Sequence, residues 1–139
     1  MDDKFEKEYI NEWFQFGDND LTVAELTLSN YPEMYEIICY HCQQSSEKYL
    51  KGFLFYHGVK PPKIHEIDTL CEICAKFDAG FDEIIKICAV LTMYGVTPRY
   101  PYEAELDESN ANQAIEYARQ IKDFAPLVKV RDELETSDV

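Results

Sequence analysis

The sequence predicts an all-α fold, an up-and-down bundle of four to five helices. Apolar residues recur at three- and four-residue intervals through most of the chain, which is the spacing of amphipathic helices. No segment shows a convincing two-residue alternation of the kind that marks a β-strand. Short breaks containing glycine or proline separate the helical segments, and short connections favour antiparallel neighbours. Because 139 residues build one core, we expect a single domain over 1–139, with its core at about 10–130 and acidic, frayed ends.

Two helices are predicted in the first half of the chain. The inward stripe of the first helix is Trp13, Phe16, Leu21, Ala24 and Leu28. Gly17 is a weak point within this helix, since glycine lowers helix stability. Asn30 and Pro32 mark its end and a new start, because proline fits the first turn of a helix. The second helix runs from Glu33 to about His57, with an apolar side made of Tyr35, Ile38, Cys42, Tyr49, Phe53 and Tyr56.

A third and a fourth helix follow a break at Gly58 and Pro61-Pro62, since these residues interrupt helices. The third begins at about Ile64, and its inward face is Ile67, Leu70, Cys71, Cys74 and Phe77. Gly80 separates it from the fourth helix, which ends at Gly95. The inward residues of the fourth helix are Ile84, Ile87, Cys88 and Leu91.

A fifth helix is expected after the segment 96–108, whose two prolines exclude a regular helix. This last helix starts near Asp107 or Ser109. Its inward residues are Ala111, Ala114, Ile115, Ala118, Ile121 and Ala125. Pro126 should kink or end it, because proline lacks the backbone N–H that a helix interior needs.

The composition excludes several classes of protein. Lysine and arginine number 13 and the acidic residues 27, which gives a net charge of −14. A chain this acidic does not hold nucleic acid through its general field, so no extended nucleic-acid surface is expected. It is also repelled by anionic membranes, and no apolar run approaches the roughly 20 residues of a spanning helix. A charged N-terminus without a signal-peptide core and an odd number of cysteines predict a cytoplasmic protein with reduced thiols.

Two Cys-x2-Cys pairs, Cys39/Cys42 and Cys71/Cys74, have a spacing that can hold tetrahedral zinc. Zinc-binding pairs usually lie on tight turns, which aim both sulfur atoms at one point. Both pairs here lie in the middle of predicted helices, on or beside the inward stripe. We therefore predict buried thiols that act as small hydrophobic groups, with no metal site and no cofactor.

A polar stripe on the second helix is the first candidate binding surface. His41, Gln44, Lys48 and Lys51 are spaced by 3, 4 and 3 residues, so they share one side of the helix, roughly opposite the apolar side. One interpretation is a solvated face. The other is an anion-binding surface, in which the two lysines contact phosphate oxygens and the other two side chains add hydrogen bonds. Residues 44–63 hold four lysines against one glutamate, and this local excess of +3 fits a small anion better than a polymer.

The second candidate is the proline-flanked loop around Arg99 and Tyr100. The prolines reduce the entropy lost when the loop presents these two side chains. Arginine offers paired donors to a phosphate and tyrosine a ring face to a base. The alternative is a rigid connector whose arginine pairs with a nearby carboxylate such as Glu103 or Glu105. His65 follows the Pro-Pro break, at the start of the third helix. In the simplest interpretation, it is a capping or packing residue there.

Taken in order, these segments resemble a HEPN domain (higher eukaryotes and prokaryotes nucleotide-binding). Residues 13–28 resemble the first helix of that family. The second-helix pattern QxxEKxLK is matched by Gln44, Glu47, Lys48 and Lys51. The stretch from His65 to Ile67 resembles the "HDL" element that opens the third helix. Residues 97–101 resemble the "TRYP" element, with Pro98 inserted. The alanine-rich last helix fits as well, so the resemblance covers about 10–130.

The resemblance implies a helical bundle that commonly forms homodimers. Many members pair with a minimal nucleotidyltransferase in toxin–antitoxin-like modules. A large subset are metal-independent ribonucleases, in which an arginine is followed four to six residues later by a histidine near the dimer interface. In this sequence, the positions four to six residues after Arg99 are occupied by Glu103, Ala104 and Glu105. No histidine comes after His65. The ribonuclease motif is incomplete, so no catalytic residue is assigned.

We therefore expect a non-catalytic or weakly catalytic homodimeric module that binds a nucleotide or another small phosphate ligand, or a nucleotidyltransferase partner. The candidate ligand-binding residues are His41, Gln44, Lys48, Lys51, His65, Arg99 and Tyr100. One alternative is metal-independent RNA cleavage at a composite dimer site, with Arg99 acting together with a non-standard base, His41 or His65. A further alternative is a non-catalytic acidic scaffold that engages a basic partner.

Overall fold

The computed structural model describes residues 3–95 and 106–136. Within them the chain forms six α-helices and one 3-10 helix, and no described residue lies in a β-strand. The α-helices are α1 (Asp3–Asn30), α2 (Tyr35–Tyr56), α3 (Ile67–Ala75), α4 (Ile85–Gly95), α5 (Glu108–Lys122) and α6 (Ala125–Thr136). The 3-10 helix, Ala79–Ile84, leads directly into α4. The predicted all-α architecture is confirmed.

The first two helices form an antiparallel hairpin that packs closely because two glycines lie in its interface. A Cβ atom added at Gly17 would lie 2.7 Å from Cε1 of Tyr49, and one added at Gly52 would lie 3.1 Å from the ring of Phe14. The Ser45 hydroxyl donates a hydrogen bond of 2.8 Å to the carbonyl oxygen of Gly17. The glycine that weakens α1 as an isolated helix therefore allows the tertiary contact with α2.

The central element of the fold is α2, which packs against each of the other five α-helices. Its apolar residues Leu50, Phe53 and Leu54 are buried. Five of its polar residues are buried as well: Gln43, Ser45, Ser46, Glu47 and Lys51. Because a buried polar group needs a hydrogen-bonding partner, the surroundings of α2 must supply partners on its polar side too.

The shorter helices are capped by identifiable side chains. The N-cap residue of α3, Glu66, makes no capping bond with its side chain. Instead, Oγ1 of Thr92 on α4 accepts hydrogen bonds from the backbone N–H groups of Ile67 (2.8 Å) and Asp68 (3.2 Å). At the start of α5, Asp107 and Asn110 each accept a bond from the backbone N–H of the other, which forms a capping box.

An ion-pair network connects the last described helix to the first. Arg131 on α6 donates two hydrogen bonds to the carboxylate of Asp18 on α1, at 3.1 and 2.7 Å. Lys122 lies 3.7 Å from the same carboxylate, and the Tyr49 hydroxyl donates to it at 2.5 Å. Burial raises the pKa of Asp18, but the bonds from Arg131 and Tyr49 more than offset it, so the pKa is lowered. The guanidinium also lies over the rings of Phe14 and Tyr49.

Three sequence expectations differ from the structure. The predicted fifth helix is two helices, since α5 ends at Lys122 and Pro126 lies in the first turn of α6, where a proline costs little. Phe16 and Phe77 were expected to face the core, but they are 51% and 42% exposed. Ala125 was also expected to face inward, but it is exposed.

All five cysteines are buried, and none forms a disulfide. Burial raises the pKa of the Cys42 and Cys74 thiols. In the described ranges, no three His, Cys, Asp or Glu side chains are grouped so that they could hold a metal ion. Within the same ranges, no helix combines the length and the apolar character that a bilayer span requires.

Candidate functional site

The predicted polar stripe of α2 divides into two clusters, each arranged around a carboxylate. The Asp20 cluster consists of Asp20, His41 and Lys48. The Glu47 cluster consists of Gln43, Glu47, Lys51 and His65. Both clusters lie along α2, the first on the side facing α1 and the second on the side facing the start of α3. The structure thus brings together four of the predicted residues, in two pairs.

In the Asp20 cluster one carboxylate contacts both partners, the imidazole of His41 and the ammonium of Lys48. Oδ1 of Asp20 lies 2.9 Å from Nδ1 of His41, and Oδ2 accepts a hydrogen bond from the Lys48 ammonium. Because a carboxylate only accepts, the histidine carries a proton on Nδ1. The side chains of His41 and Lys48 are 27% and 25% exposed. Lys48 is therefore a reachable cation, but its charge is already balanced.

The Glu47 cluster is more deeply buried. The Lys51 ammonium donates to Oε2 of Glu47 at 3.3 Å, and both side chains are less than a tenth exposed. Nδ1 of His65 lies 2.8 Å from Oε1 of the same carboxylate. His65 itself is 69% exposed, so one edge of its ring is fixed by Glu47 while much of the ring meets solvent.

Two glutamines link the cluster to the backbone before α3. The buried Gln43 donates through Nε2 to the carbonyl oxygen of His65, at 2.8 Å. Gln44 donates through Nε2 to Oε1 of Gln43, also at 2.8 Å. Gln44, predicted to bind a ligand, therefore supports Gln43. Together these bonds fix the position of His65 relative to α2.

Sequence reasoning missed three residues of these clusters as site residues: Asp20, Gln43 and Glu47. Asp20 lies 21 residues before His41 and 28 before Lys48, so no local spacing connects them. Gln43 stands directly beside the predicted Gln44, and Glu47 stands within the quoted helix pattern. For Gln43 and Glu47, the available signal was their position within a lysine-bearing helix, where buried cations require acceptors.

The clusters can bind an anion only in competition with their own carboxylates. When both histidines are neutral, each cluster contains one carboxylate and one ammonium, so its net charge is zero. An anion reaching Lys48 has to displace Asp20, and one reaching Lys51 has to displace Glu47 in a buried setting. This arrangement disfavours tight binding of a polyanion.

Arg99 and Tyr100 lie outside the described residues. The third histidine of the chain, His57, stacks on Phe77 with ring centroids 4.9 Å apart. Burial lowers the pKa of His57, and its ring packs against apolar neighbours, including Phe53.

Surface depressions lie elsewhere on the molecule. The largest of four, about 700 Å³, lies between the 3-10 helix and the α5–α6 junction, and Glu83, Glu116 and Asp123 contribute carboxylates to its rim. Another, of about 490 Å³, is lined by Ile10 and Tyr56 among others. None of these four depressions is lined by a residue that the sequence predicted to bind a ligand.

Two comparisons with known proteins agree with this architecture. The HEPN domain family model matches residues 10–128. The fold is similar to the crystal structure of an archaeal HEPN homologue, with a TM-score of 0.65, 23% sequence identity and coverage of 90% of this chain and 97% of that one. No curated protein matches the sequence. Since the family match spans α2 with both of its clusters and the helices around it, the chain belongs to the HEPN domain family.

Proposed function

We propose that the chain is a dimeric HEPN module that binds a partner and does not itself cut RNA. The observation that carries this proposal is the missing histidine after Arg99. In the ribonucleases that the family resemblance implies, that histidine moves a proton while the arginine stabilises charge on the phosphorus. A module without it keeps the fold and its surfaces but lacks half of the reacting pair.

The charge distribution supports the same proposal. RNA binding depends on cations that can replace the counterions of the phosphate backbone. Lys48 and Lys51 already face Asp20 and Glu47, so neither offers an unbalanced charge. The net charge of −14 adds long-range repulsion of a polyanion.

The proposed partner is a minimal nucleotidyltransferase, in a toxin–antitoxin-like pair. This part rests on the family resemblance and on an acidic surface that suits a basic face of another protein. Co-expression with a nucleotidyltransferase encoded beside this chain should yield a complex that survives size exclusion. Separate elution of the two proteins at micromolar concentration would contradict the pairing.

A nucleotide is the small ligand that this proposal includes, with its phosphate near Lys48 and Arg99. Because Asp20 competes for Lys48, removal of that carboxylate charge should strengthen binding. Asp20→Asn is therefore expected to enlarge the nucleotide-induced rise in melting temperature, whereas Lys48→Ala should abolish it. Equal shifts in the wild type and both variants would show that the nucleotide binds elsewhere.

A second candidate function is favoured by one observation, the pairing of Glu47 with His65. A carboxylate that fixes Nδ1–H of a histidine leaves Nε2 of the neutral ring as an acceptor, which is the arrangement of a general base. His65 suits this role better than His41, because it is 69% exposed and His41 only 27%. In this alternative, His65 replaces the missing histidine and acts with Arg99 in metal-independent RNA cleavage.

One experiment separates the two functions. Purified protein is incubated with single-stranded RNA in the presence of EDTA, alongside Arg99→Ala, His65→Gln and the control His57→Gln. The proposal of a non-cutting module expects no cleavage above that of a mock purification. Cleavage that Arg99→Ala and His65→Gln abolish and His57→Gln retains would establish the ribonuclease instead.

A further inference from the structure

Three buried cysteines lie on α3 and α4, two helices that pack against each other, and the proposed function uses none of them. Cys71 and Cys74 belong to α3 and Cys88 belongs to α4, and all three are completely buried. Cys74 faces α2, because its thiol donates to the backbone carbonyl oxygen of Leu50 at 3.7 Å. Cys71 and Cys88 instead face each other across the boundary between α3 and α4.

The contact between Cys71 and Cys88 follows from the register of the two helices. The hydroxyl of Thr92, near the end of α4, accepts hydrogen bonds from the backbone N–H groups of Ile67 and Asp68 at the start of α3. The start of one helix thus lies beside the end of the other, so the two helices run in opposite directions. Cys71 lies one turn after Ile67, and Cys88 lies one turn before Thr92, which brings these two positions together as well.

The two thiols belong to a short chain of hydrogen bonds. The Cys71 thiol donates to the carbonyl oxygen of Phe81, in the 3-10 helix before α4, at 3.2 Å. The Cys88 thiol is hydrogen-bonded to Cys71, whose sulfur is its acceptor. This bond lowers the pKa of Cys71, whereas the same bond together with burial raises the pKa of Cys88. Cys71 is therefore the better nucleophile of the pair, since the thiolate is the form that attacks.

We propose that Cys71 and Cys88 are a redox switch that hydrogen peroxide closes into a disulfide. The Cys71 thiolate attacks one oxygen of the peroxide, and the O–O bond breaks. The products are a sulfenic acid on Cys71 and a hydroxide, which takes up the proton that Cys71 lost and becomes water. The sulfur of Cys88 then attacks the sulfenic sulfur, the S–O bond breaks, and the hydroxyl leaves as a second water with the proton of Cys88. Two thiols are oxidised to one disulfide while one peroxide is reduced to two waters.

The disulfide locks α3 onto α4. Because α3 has only nine residues and depends on Thr92 of α4 for acceptors at its start, we expect it to open locally in the folded protein. Such an opening admits a molecule as small as hydrogen peroxide to sulfur atoms that are buried in the closed form. In the disulfide the two sulfur atoms approach to about 2 Å, and the chain between them becomes a closed loop. The oxidised protein should therefore open less often in this region.

The test is a disulfide map of the wild-type protein. Fully reduced protein is treated with hydrogen peroxide at neutral pH, its remaining thiols are alkylated, and it is digested without reduction. Cleavage after Glu72 separates Cys71 from Cys74, so the mass of the linked peptides identifies the pair. Two of the five thiols should be lost, the linked peptides should contain Cys71 and Cys88, and dithiothreitol should restore both thiols. The melting temperature should rise on oxidation and return on reduction, and the amide hydrogens of α3 should exchange more slowly in the oxidised protein.

Two variants provide matched controls at buried positions, with circular dichroism as the check on folding. Cys88→Ala should form no disulfide, whereas Cys74→Ala should still link Cys71 to Cys88. Three results would overturn the inference. They are five free thiols in the treated wild type, a disulfide that joins Cys71 to Cys74, and a disulfide that persists in Cys88→Ala. The first two are read from the wild type, so they hold even if a variant fails to fold.

Discussion

The ring of Tyr49 lies against the backbone of Gly17, with Cε1 at 2.7 Å from the position that a Cβ atom would occupy. Tyr49 cannot move aside easily, because it is 1% exposed and its hydroxyl is bonded to Asp18. Glycine at position 17 therefore sets the distance between α1 and α2.

Gly17→Ala tests this relationship. Alanine gains about 1 kcal/mol of helix propensity, whereas overpacking a rigid core contact costs about 1–3 kcal/mol. The free energy of unfolding, measured in urea, should fall by up to about 2 kcal/mol, which is the balance of these two effects. The control Thr22→Ala, at an exposed position of the same helix, should leave it unchanged or slightly higher. A Gly17→Ala protein as stable as the wild type would show that the ring yields.

The buried pair of Glu47 and Lys51 should be costly to break and cheap to replace. Lys51→Met leaves Glu47 without its ammonium partner, and loss of one member of a buried pair costs about 3 kcal/mol. The double variant Glu47→Leu/Lys51→Met should recover most of that loss, since two apolar side chains need no partners. Urea unfolding of the two single variants and the double variant gives the coupling energy. Additive losses would mean that the two side chains do not stabilise each other.

Acid sensitivity should depend on Asp18. The pKa of Asp18 is lowered in the folded protein. As the pH falls, this carboxylate is therefore protonated in the unfolded chain before it is protonated in the folded protein. Proton binding then favours the unfolded chain, and the folded protein loses stability. Asp18→Asn should be less stable than the wild type at pH 7. The difference should shrink as the pH falls through and below the ordinary value of 3.8. The control Asp132→Asn changes an exposed neighbour of Arg131 and should show the same dependence of stability on pH as the wild type. A difference in stability between Asp18→Asn and the wild type that stays constant down to about pH 2 would contradict the role given to Asp18.

Thr92 should act as the cap of α3 although it belongs to α4. Thr92→Val keeps the shape of the side chain but removes the oxygen that accepts from Ile67 and Asp68. The expected loss is about 1–2 kcal/mol of unfolding free energy. Thr92→Ser keeps the oxygen and should lose less than half of that amount. A Thr92→Val protein as stable as the wild type would show that the cap does not contribute, and a larger loss in Thr92→Ser than in Thr92→Val would show that the methyl contact matters more than the cap.

The cysteines should behave as core residues. Because all five are buried, a thiol reagent such as DTNB should react with none of them quickly in the folded protein and with five after unfolding. Addition of zinc or EDTA should leave the melting temperature unchanged. A melting temperature that rises with zinc would revive a Cys-x2-Cys metal site.

Helical spacing was sufficient to predict the class of the fold and most of its breaks. The spacing extended α5 too far, because Ala125 stands four residues after Ile121, whereas α5 ends at Lys122. The next buried residues, Leu127, Val130 and Leu134, are out of phase with the α5 stripe, because they belong to a separate helix. The spacing also assigned Phe16 to the core by residue type. The core side of α1 is set by Phe14, Gly17 and Leu21, and Phe16 lies away from it.

The candidate site could be predicted only in part for a related reason. A stripe of polar residues on α2 predicts a solvent-exposed face when the helix is considered alone. In the folded protein, however, α2 packs against five other α-helices. Lys51 is consequently buried, and Lys48 is held by Asp20 from α1. The partners that decide the charge of a site come from distant segments, which the spacing within one helix does not reveal.

The attachment of α6 to α1 has a consequence for the order of folding. The ion pair between Asp18 and Arg131 joins residues 113 positions apart, and closing so long a loop costs more entropy than closing the four-residue turn between α1 and α2. The hairpin is therefore expected to form early and α6 to dock last. By the same argument α6 should be the first helix to detach when the native bundle opens locally, so its amide hydrogens should exchange sooner than those of α2.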